Sequence, residues 1–246
     1  HNAVFRPPWS TLPWGVSLLG RCEAVLVHNQ AQRAPALALG VPASRLCVLE
    51  DVPPLRPAAA PPPLPAAFAG RPRPWVLFAG SYGSDEPVAE VLQAARLLGT
   101  GVVALTGRLS NAAKNGHDIR QPPPNVVLTG YLPVADFEAL LVHCDVVLAF
   151  TRHDGIQLSV CNEALGFGRP MLVSDTPLLR ELFGSAGVMV DSADPAAIAR
   201  GIHHAWQHAA PLAQASRALA RQRRSVWQGG PLAACRALLR RRPPTP

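Results

Sequence analysis

The densest run of reactive side chains in the sequence is TRHDGIQLSVCNEALGFGRP at 151–170. Asp154 and Gly155 form a tight turn, and the backbone N–H groups of Ile156, Gln157, Leu158 and Ser159 then open a helix. A helix start of this kind attracts an anion, because its first N–H groups have no intrahelical acceptor and the peptide dipoles add up there. Glu163 follows about one and a half turns later. A carboxylate at that depth lies too far along to meet the anion but can accept paired hydroxyls such as those of a ribose. Asp154 is the carboxylate of the turn itself. The plain alternative for Glu163 is an exposed helix acid.

Two further groups suit phosphate oxygens. GSYGSDEP at 80–87 places Gly80, Ser81 and Gly83 between an apolar run and a helix, where backbone N–H groups can hold an anion. The spacing is not GxGxxG, so the fingerprint of a nicotinamide or flavin site is absent, and the glycines serve a strand–helix turn equally well. Arg108 and Lys114, the sole lysine, stand six positions apart in the polar stretch 108–125. A guanidinium grips phosphate bidentately and an ammonium acts as a point charge; two solvated loop charges are the alternative. His1-Asn2 and His28-Asn29 read as polar loop residues. The five cysteines (Cys22, Cys47, Cys144, Cys161, Cys235) are far apart, odd in number and without a CxxC pair. That pattern argues against a disulfide framework or zinc site and for idle thiols in a reducing compartment, hence the cytoplasm.

These residues need rigid elements to aim them. With 246 residues, 48% apolar and 16% charged, the chain can build one large or two small cores and is not disordered. No apolar run reaches the roughly 18 residues of a spanning helix. The start HNAVFRPPWS lacks both an initiating Met and a leader pattern, and reads as that of a processed chain or a fragment. Residues 1–50 give a strand–helix–strand unit from EAVLVHN (23–29) and RLCVLE (45–50). Residues 51–74 are proline-rich and predict a stiff linker. From 75 to 193 six apolar runs (75–80, 101–107, 125–132, 145–151, 169–175, 187–191) alternate with helical segments. That alternation predicts a Rossmann-like α/β domain, its parallel sheet covered by helices on both faces. The stretch 108–125 is expected to be loop throughout. In such a sheet ligands bind outside the carboxyl ends of the strands, where every candidate above falls.

Charge is uneven. Up to residue 194 the chain carries 14 basic and 16 acidic residues; from Pro195 onward it carries nine arginines and no acid. The segment 194–246 is expected to form basic helices able to meet anionic lipid headgroups, or merely a solvated face. No aromatic–basic interleaving or nucleic-acid motif accompanies it, so nucleic acid is not the expected partner.

DGIQLSVCNEALGFGRPMLVSDTPLLRELFG resembles the donor-nucleotide segment of retaining glycosyltransferases of GT-B fold, the glycogen-synthase-like group 1 enzymes. That family carries Glu, seven residues, Glu, then Ala and a small-residue run to Gly-x-Pro; Glu163-Ala164 and Gly168-Arg169-Pro170 match the second half. PNVVLTGYLPVADFEALLVHCDVVLAF (124–150) is similar to the strand, acidic helix and Asp-led strand before it. The resemblance implies two Rossmann-like domains joined by the linker, with residues 1–50 a remnant of the acceptor-side domain. The closing helices would cross back toward it. It also implies a hexosyl group passing with retention from a nucleoside diphosphate sugar to a hydroxyl of a glycan or lipid-linked acceptor. Glu163 would then hold the ribose, and no metal or other cofactor would be required. The sequence departs from the pattern in two places. Gly155 occupies the first Glu position; Asp154 stands one residue early, and with that shift the resemblance makes it the candidate catalytic carboxylate. The diphosphate clamp expected after the first strand is missing; Gly80 and Ser81 stand there, and Arg108 and Lys114 come one strand later. A sugar-nucleotide epimerase on the same fold and a non-catalytic binding module remain the other readings.

Overall fold

A computed structural model describes residues 12–55 and 61–240. The chain divides into two compact units, one built from the chain up to Val52 and from Arg221 onward, the other from Pro53–Ala220.

The smaller unit begins with helix α1 (Pro13–Arg21), which the sequence reading did not anticipate, followed by strand β1 (Val25–Val27), helix α2 (Arg33–Ala38) and strand β2 (Leu46–Val48). The two strands pair in parallel with Val25 opposite Leu46. Val25, Val27, Ala36, Val41 and Leu46 form its core, with Leu19, Cys22 and Val48 packed against them. The loop after β1 is fixed by Asn29, whose side chain accepts from Gln32 N at 3.1 Å. His28 Nδ1 lies 3.1 Å from Asp51 Oδ1. His1 and Asn2 lie outside the described residues.

The larger unit alternates β3 (Trp75–Phe78), α3 (Val88–Leu97), β4 (Val102–Thr106), α4 (Leu109–Lys114), β5 (Val126–Gly130), α5 (Val134–His143), β6 (Val146–Ala149), α6 (Ser159–Gly166), β7 (Met171–Ser174), α7 (Pro177–Phe183), β8 (Gly187–Val190) and α8 (Pro195–Gln207). Helices α9 (Ala209–Gly229) and α10 (Pro231–Arg240) close the chain. The strands form one parallel sheet in the order β5-β4-β3-β6-β7-β8. The order reverses between β3 and β6, which opens a crevice at their carboxyl ends.

Alternation along each strand explains why both faces are apolar. Val76, Phe78, Val103, Leu105, Val146 and Leu148 meet α3 and α8 on one face. Leu77, Ala104, Val147, Ala149, Met171 and Val173 meet α5, α6 and α7 on the other. A strand buried on both sides reads in sequence as an unbroken apolar run. Two expectations need correction. Residues 108–125 are not all loop, because Leu109–Lys114 forms α4. Its apolar contribution to the core is the buried Ala112, so no periodic apolar face marked it in the sequence. Nor is the end of the proline-rich stretch a free spacer. Phe68 is fully buried in the second face's core and stacks on Trp75 at 5.2 Å between ring centroids, and His143 Nε2 lies 2.8 Å from Pro62 O.

The cysteine expectation needs correction for two of the five residues. Cys47 on β2 and Cys235 on α10 are joined in a disulfide across 188 residues. Each stands alone in sequence, and the fold of the smaller unit brings them together. Cys22, Cys144 and Cys161 are in no disulfide, and burial pushes the Cys144 thiol up to about 12, so it stays protonated.

Candidate functional site

The crevice at the strand-order reversal is bounded by the loop after β3 and the loop after β6, the two places where the sequence clusters its candidates. In the second loop Gly155 adopts φ +74°, a left-handed conformation that glycine takes without steric cost. The chain turns there and enters α6 at Ser159. The N-cap of α6 is Leu158, no side chain caps it, and its first turn holds no acid. Among the described residues its positive end is therefore met by no capping side chain and no first-turn acid, whereas α7 and α8 are capped. The start of α7 is capped by Thr176 Oγ1, which accepts from Leu179 N at 3.3 Å, and by Asp154 Oδ1, which accepts from Leu178 N at 3.2 Å. Asp194 caps α8.

Asp154, the candidate catalytic carboxylate, is thus engaged at the start of α7. Glu163 sits in the second turn of α6, half-buried, and no hydrogen bond or ion pair of its carboxylate is found among the described residues. Burial first, and the charge of Glu138 second, hold its carboxyl above the ordinary range. Flanking residues Cys161, Ala164 and Leu165 are buried in the sheet-facing core and fix the helix that carries it.

The loop after β3 is filled from within. Glu86 accepts from Ser81 N at 2.9 and 3.0 Å, from Tyr82 N at 2.8 Å and from Ser81 Oγ at 2.7 Å. The backbone donor expected to meet a phosphate at Ser81 therefore meets a carboxylate of the chain itself, and the Gly80 N–H donates to Phe78 O at 3.0 Å. The outer carbonyls of the same loop are also taken. Asn111 Nδ2 donates to Ser81 O at 3.2 Å, Asn115 Nδ2 donates to Tyr82 O at 2.6 Å, and His117 Nε2 lies 2.8 Å from Gly83 O. Asp85 ties the loop to its neighbour, accepting from Thr151 Oγ1 at 2.7 Å. Tyr82 is fully buried, and burial, with the charge of Glu86, pushes its phenol up to about 12.

Gly107 is what lets β4 reach this loop. Its φ is +119°, and a Cβ there would stand 2.6 Å from Gly80 O. Beyond it Arg108 lies over the ring of Tyr131, 4.8 Å from the centroid, and Lys114 ends α4. Both cations belong to the β4–α4 segment beside the β3 loop. The sequence reading missed Glu86, Asn111, Asn115, His117 and Tyr131. The one available signal was Asp85-Glu86-Pro87, an acid set just ahead of a helix and five residues after Ser81. Among the described residues no group of three or more His, Cys, Asp or Glu is placed to hold a metal ion.

Comparison with known proteins gives the fold its context. Sucrose-phosphate synthase from Thermosynechococcus elongatus superposes with a TM-score of 0.64 at 16% identity, over 91% of this chain and 60% of that one. HepE from Anabaena, solved in complex with UDP-glucose, gives 0.67 at 15% identity over 96% of this chain and 69% of that one. The UDP-forming trehalose-phosphate synthase of Burkholderia vietnamiensis gives 0.65 at 13% identity, over 94% and 64%. These likenesses establish a GT-B fold, and the chain spans about two thirds of the length of these proteins. No curated protein sequence matches it. Residues 73–208, more than half of the chain and all of the six-stranded sheet, match the family described as glycosyl transferases group 1, and the chain belongs to that family.

Proposed function

We propose that this chain is the donor-binding half of a retaining glycosyltransferase, taking a nucleoside diphosphate sugar in the crevice between the β3 and β6 loops. The observation that carries the reading is Glu163: a half-buried carboxylate that, among the described residues, has no ion-pair partner, one turn into a helix that no described side chain caps, at the point where the strand order reverses. Carboxylates are seldom left so unless something donates to them, and paired ribose hydroxyls are suitable donors.

In this reading the N–H groups of Ile156, Gln157, Leu158 and Ser159 face the diphosphate, and Arg108 and Lys114 of the β4–α4 segment supply cations to it. Charge that develops on the departing diphosphate as the sugar C1–O bond breaks is met by fixed dipoles and guanidinium, without a required metal. Gly155 gives the sugar close backbone approach, and Asp154 orients a sugar hydroxyl from its anchored position on α7. Gly80 and Ser81 contribute the turn rather than phosphate donors, since Glu86 occupies the Ser81 N–H and Phe78 O the Gly80 N–H. The hexosyl group passes to a hydroxyl of a glycan or lipid-linked acceptor.

Calorimetric titration with UDP, GDP and ADP tests this, with UDP first because a fold neighbour was solved with UDP-glucose. The expected result is binding of one nucleotide, weakened at least about tenfold, near 1.4 kcal/mol, in Glu163→Gln. No binding by any of the three rejects the proposal. A second reading, a nucleotide-binding module without transferase activity, is favoured by the filled β3 loop and the engaged Asp154. Binding with neither transfer nor hydrolysis of the donor in a chain carrying a complete acceptor domain would select it.

A further inference from the structure

We propose that the Cys47–Cys235 bond is a redox-modification site, a clasp that a dithiol reductant opens and that thereby releases α10 from β2. The bond lies wholly within the smaller unit and is independent of the donor-binding reading.

Three features set it apart from a passive staple. The first is what else holds α10. Among its described side chains Cys235, 3% exposed, is the buried one; Arg236 and Arg240 are exposed, and Pro231, Leu232 and Leu238 are half-buried. The core of the unit is made by β1, α2 and β2 with their neighbours, and among the described side chains takes none from α10. A helix of ten residues with one buried described side chain is marginal alone, and that side chain is the one the covalent link holds. The second is the joint before it. A single residue, Gly230, separates the end of α9 from the start of α10, and a Cβ at Gly229 or Gly230 would meet nothing within 4 Å. Pro231 offers no N–H, so the ladder of α9 cannot run on. An uncrowded glycine pair followed by proline is a hinge about which the helix can leave as a body. The third is the rest of the cysteines. Three thiols coexist with the bond, two of them buried, so the chain has no framework of bridges that would hold the unit when this one opens.

The chemistry is ordinary thiol–disulfide exchange. A thiolate of the reductant attacks one sulfur, and the other leaves as thiolate and takes a proton. The second thiol of the reductant then displaces the first protein sulfur, which also ends protonated. Two electrons and two protons reach the chain, and the reductant leaves as its cyclic disulfide. Cys47 is 6% exposed, so attack waits on local opening of α10.

The test uses the whole chain. Denatured without reductant, it should take up three polymer-tagged maleimides, and after dithiothreitol five. In the native chain trypsin should cut at Arg236 and Arg240 roughly tenfold faster after reduction, with the circular dichroism of the remainder retained. Reoxidation by glutathione disulfide should restore protection, and Cys47→Ser and Cys235→Ser should each be cut at the fast rate without reductant. Five labels before reduction would show that no bond exists. An unchanged cutting rate, or collapse of the whole unit on reduction, would show a structural staple and overturn the clasp.

Discussion

Asp154 and Glu163 are two carboxylates nine positions apart that the structure treats in opposite ways. Asp154 is tied to the first turn of α7 through Leu178 N. Losing a cap of this kind costs about 1 kcal/mol, so Asp154→Ala should lower the melting temperature, with Asp154→Asn intermediate; equal melting of parent and variant would deny the cap. Glu163 has no such bond, and its carboxyl is held above its reference value of 4.5 by burial and by Glu138. The folded chain then binds the proton more tightly than the unfolded one, so its stability falls as pH rises from 4.5 through the raised value. Glu163→Gln should therefore be more stable than the parent at pH 7 and no more stable at pH 4, by denaturant titration at both. Nucleotide affinity should run the other way, because the ionised carboxylate accepts two hydroxyls and the protonated one competes poorly. It should decline on acidification at a pH above the ordinary glutamate range, and the Gln variant should lose that dependence. A residue that destabilises the fold while improving binding is what a ligand site, rather than a packing role, leads one to expect.

At the level of elements, the sequence was most readable where burial imposes a pattern. The six strands of the large sheet showed as apolar runs because both faces are covered, and α6 showed by its turn and its Glu. α4 did not show, since Leu109–Lys114 is held by side chain to backbone bonds from Asn111 and from Asn115 and His117 beyond it, and such bonds have no period. The same is true of Glu86, which answers donors at Ser81 and Tyr82 that only the folded loop brings together. Asn115→Ala should leave Tyr82 O without its donor at a cost of about 1–3 kcal/mol. The effect should be local: faster amide hydrogen exchange across residues 81–86, with the strands unchanged. Phe68 is the matching case in the proline-rich stretch. Proline composition rightly excluded a helix or strand there, but one aromatic residue anchors the segment on the sheet. Phe68→Ala should cost about 3–5 kcal/mol, read as a drop in the urea midpoint, whereas a free spacer would tolerate it.

For the molecule as a whole, the uneven charge is the property that no single element explains. All sixteen acids lie at or before residue 194, and nine of the basic residues follow it. Arg217, Arg221, Arg236 and Arg240 are exposed, and Arg200 shares Asp194 at 3.5 Å, while Arg241 and Arg242 lie outside the described residues. No described helix is long and apolar enough to cross a membrane, so any membrane contact made by the described helices has to be peripheral. Peripheral attraction by arginine amounts to about 1 kcal/mol per side chain near an anionic leaflet and fades over a Debye length, about 10 Å at 0.1 M salt. Those two magnitudes decide the experiment. The chain should sediment with vesicles containing phosphatidylserine at low ionic strength and be released by about 0.5 M salt, and it should ignore neutral phosphatidylcholine vesicles. Replacing Arg236 and Arg240 with Gln should weaken the association several-fold while leaving nucleotide binding in the large unit untouched, since both arginines belong to the other unit. Association that resists salt would point to buried apolar contact instead. Absence of association at low salt would mean that the arginines form a solvated face, and that a lipid-linked acceptor is not reached through them.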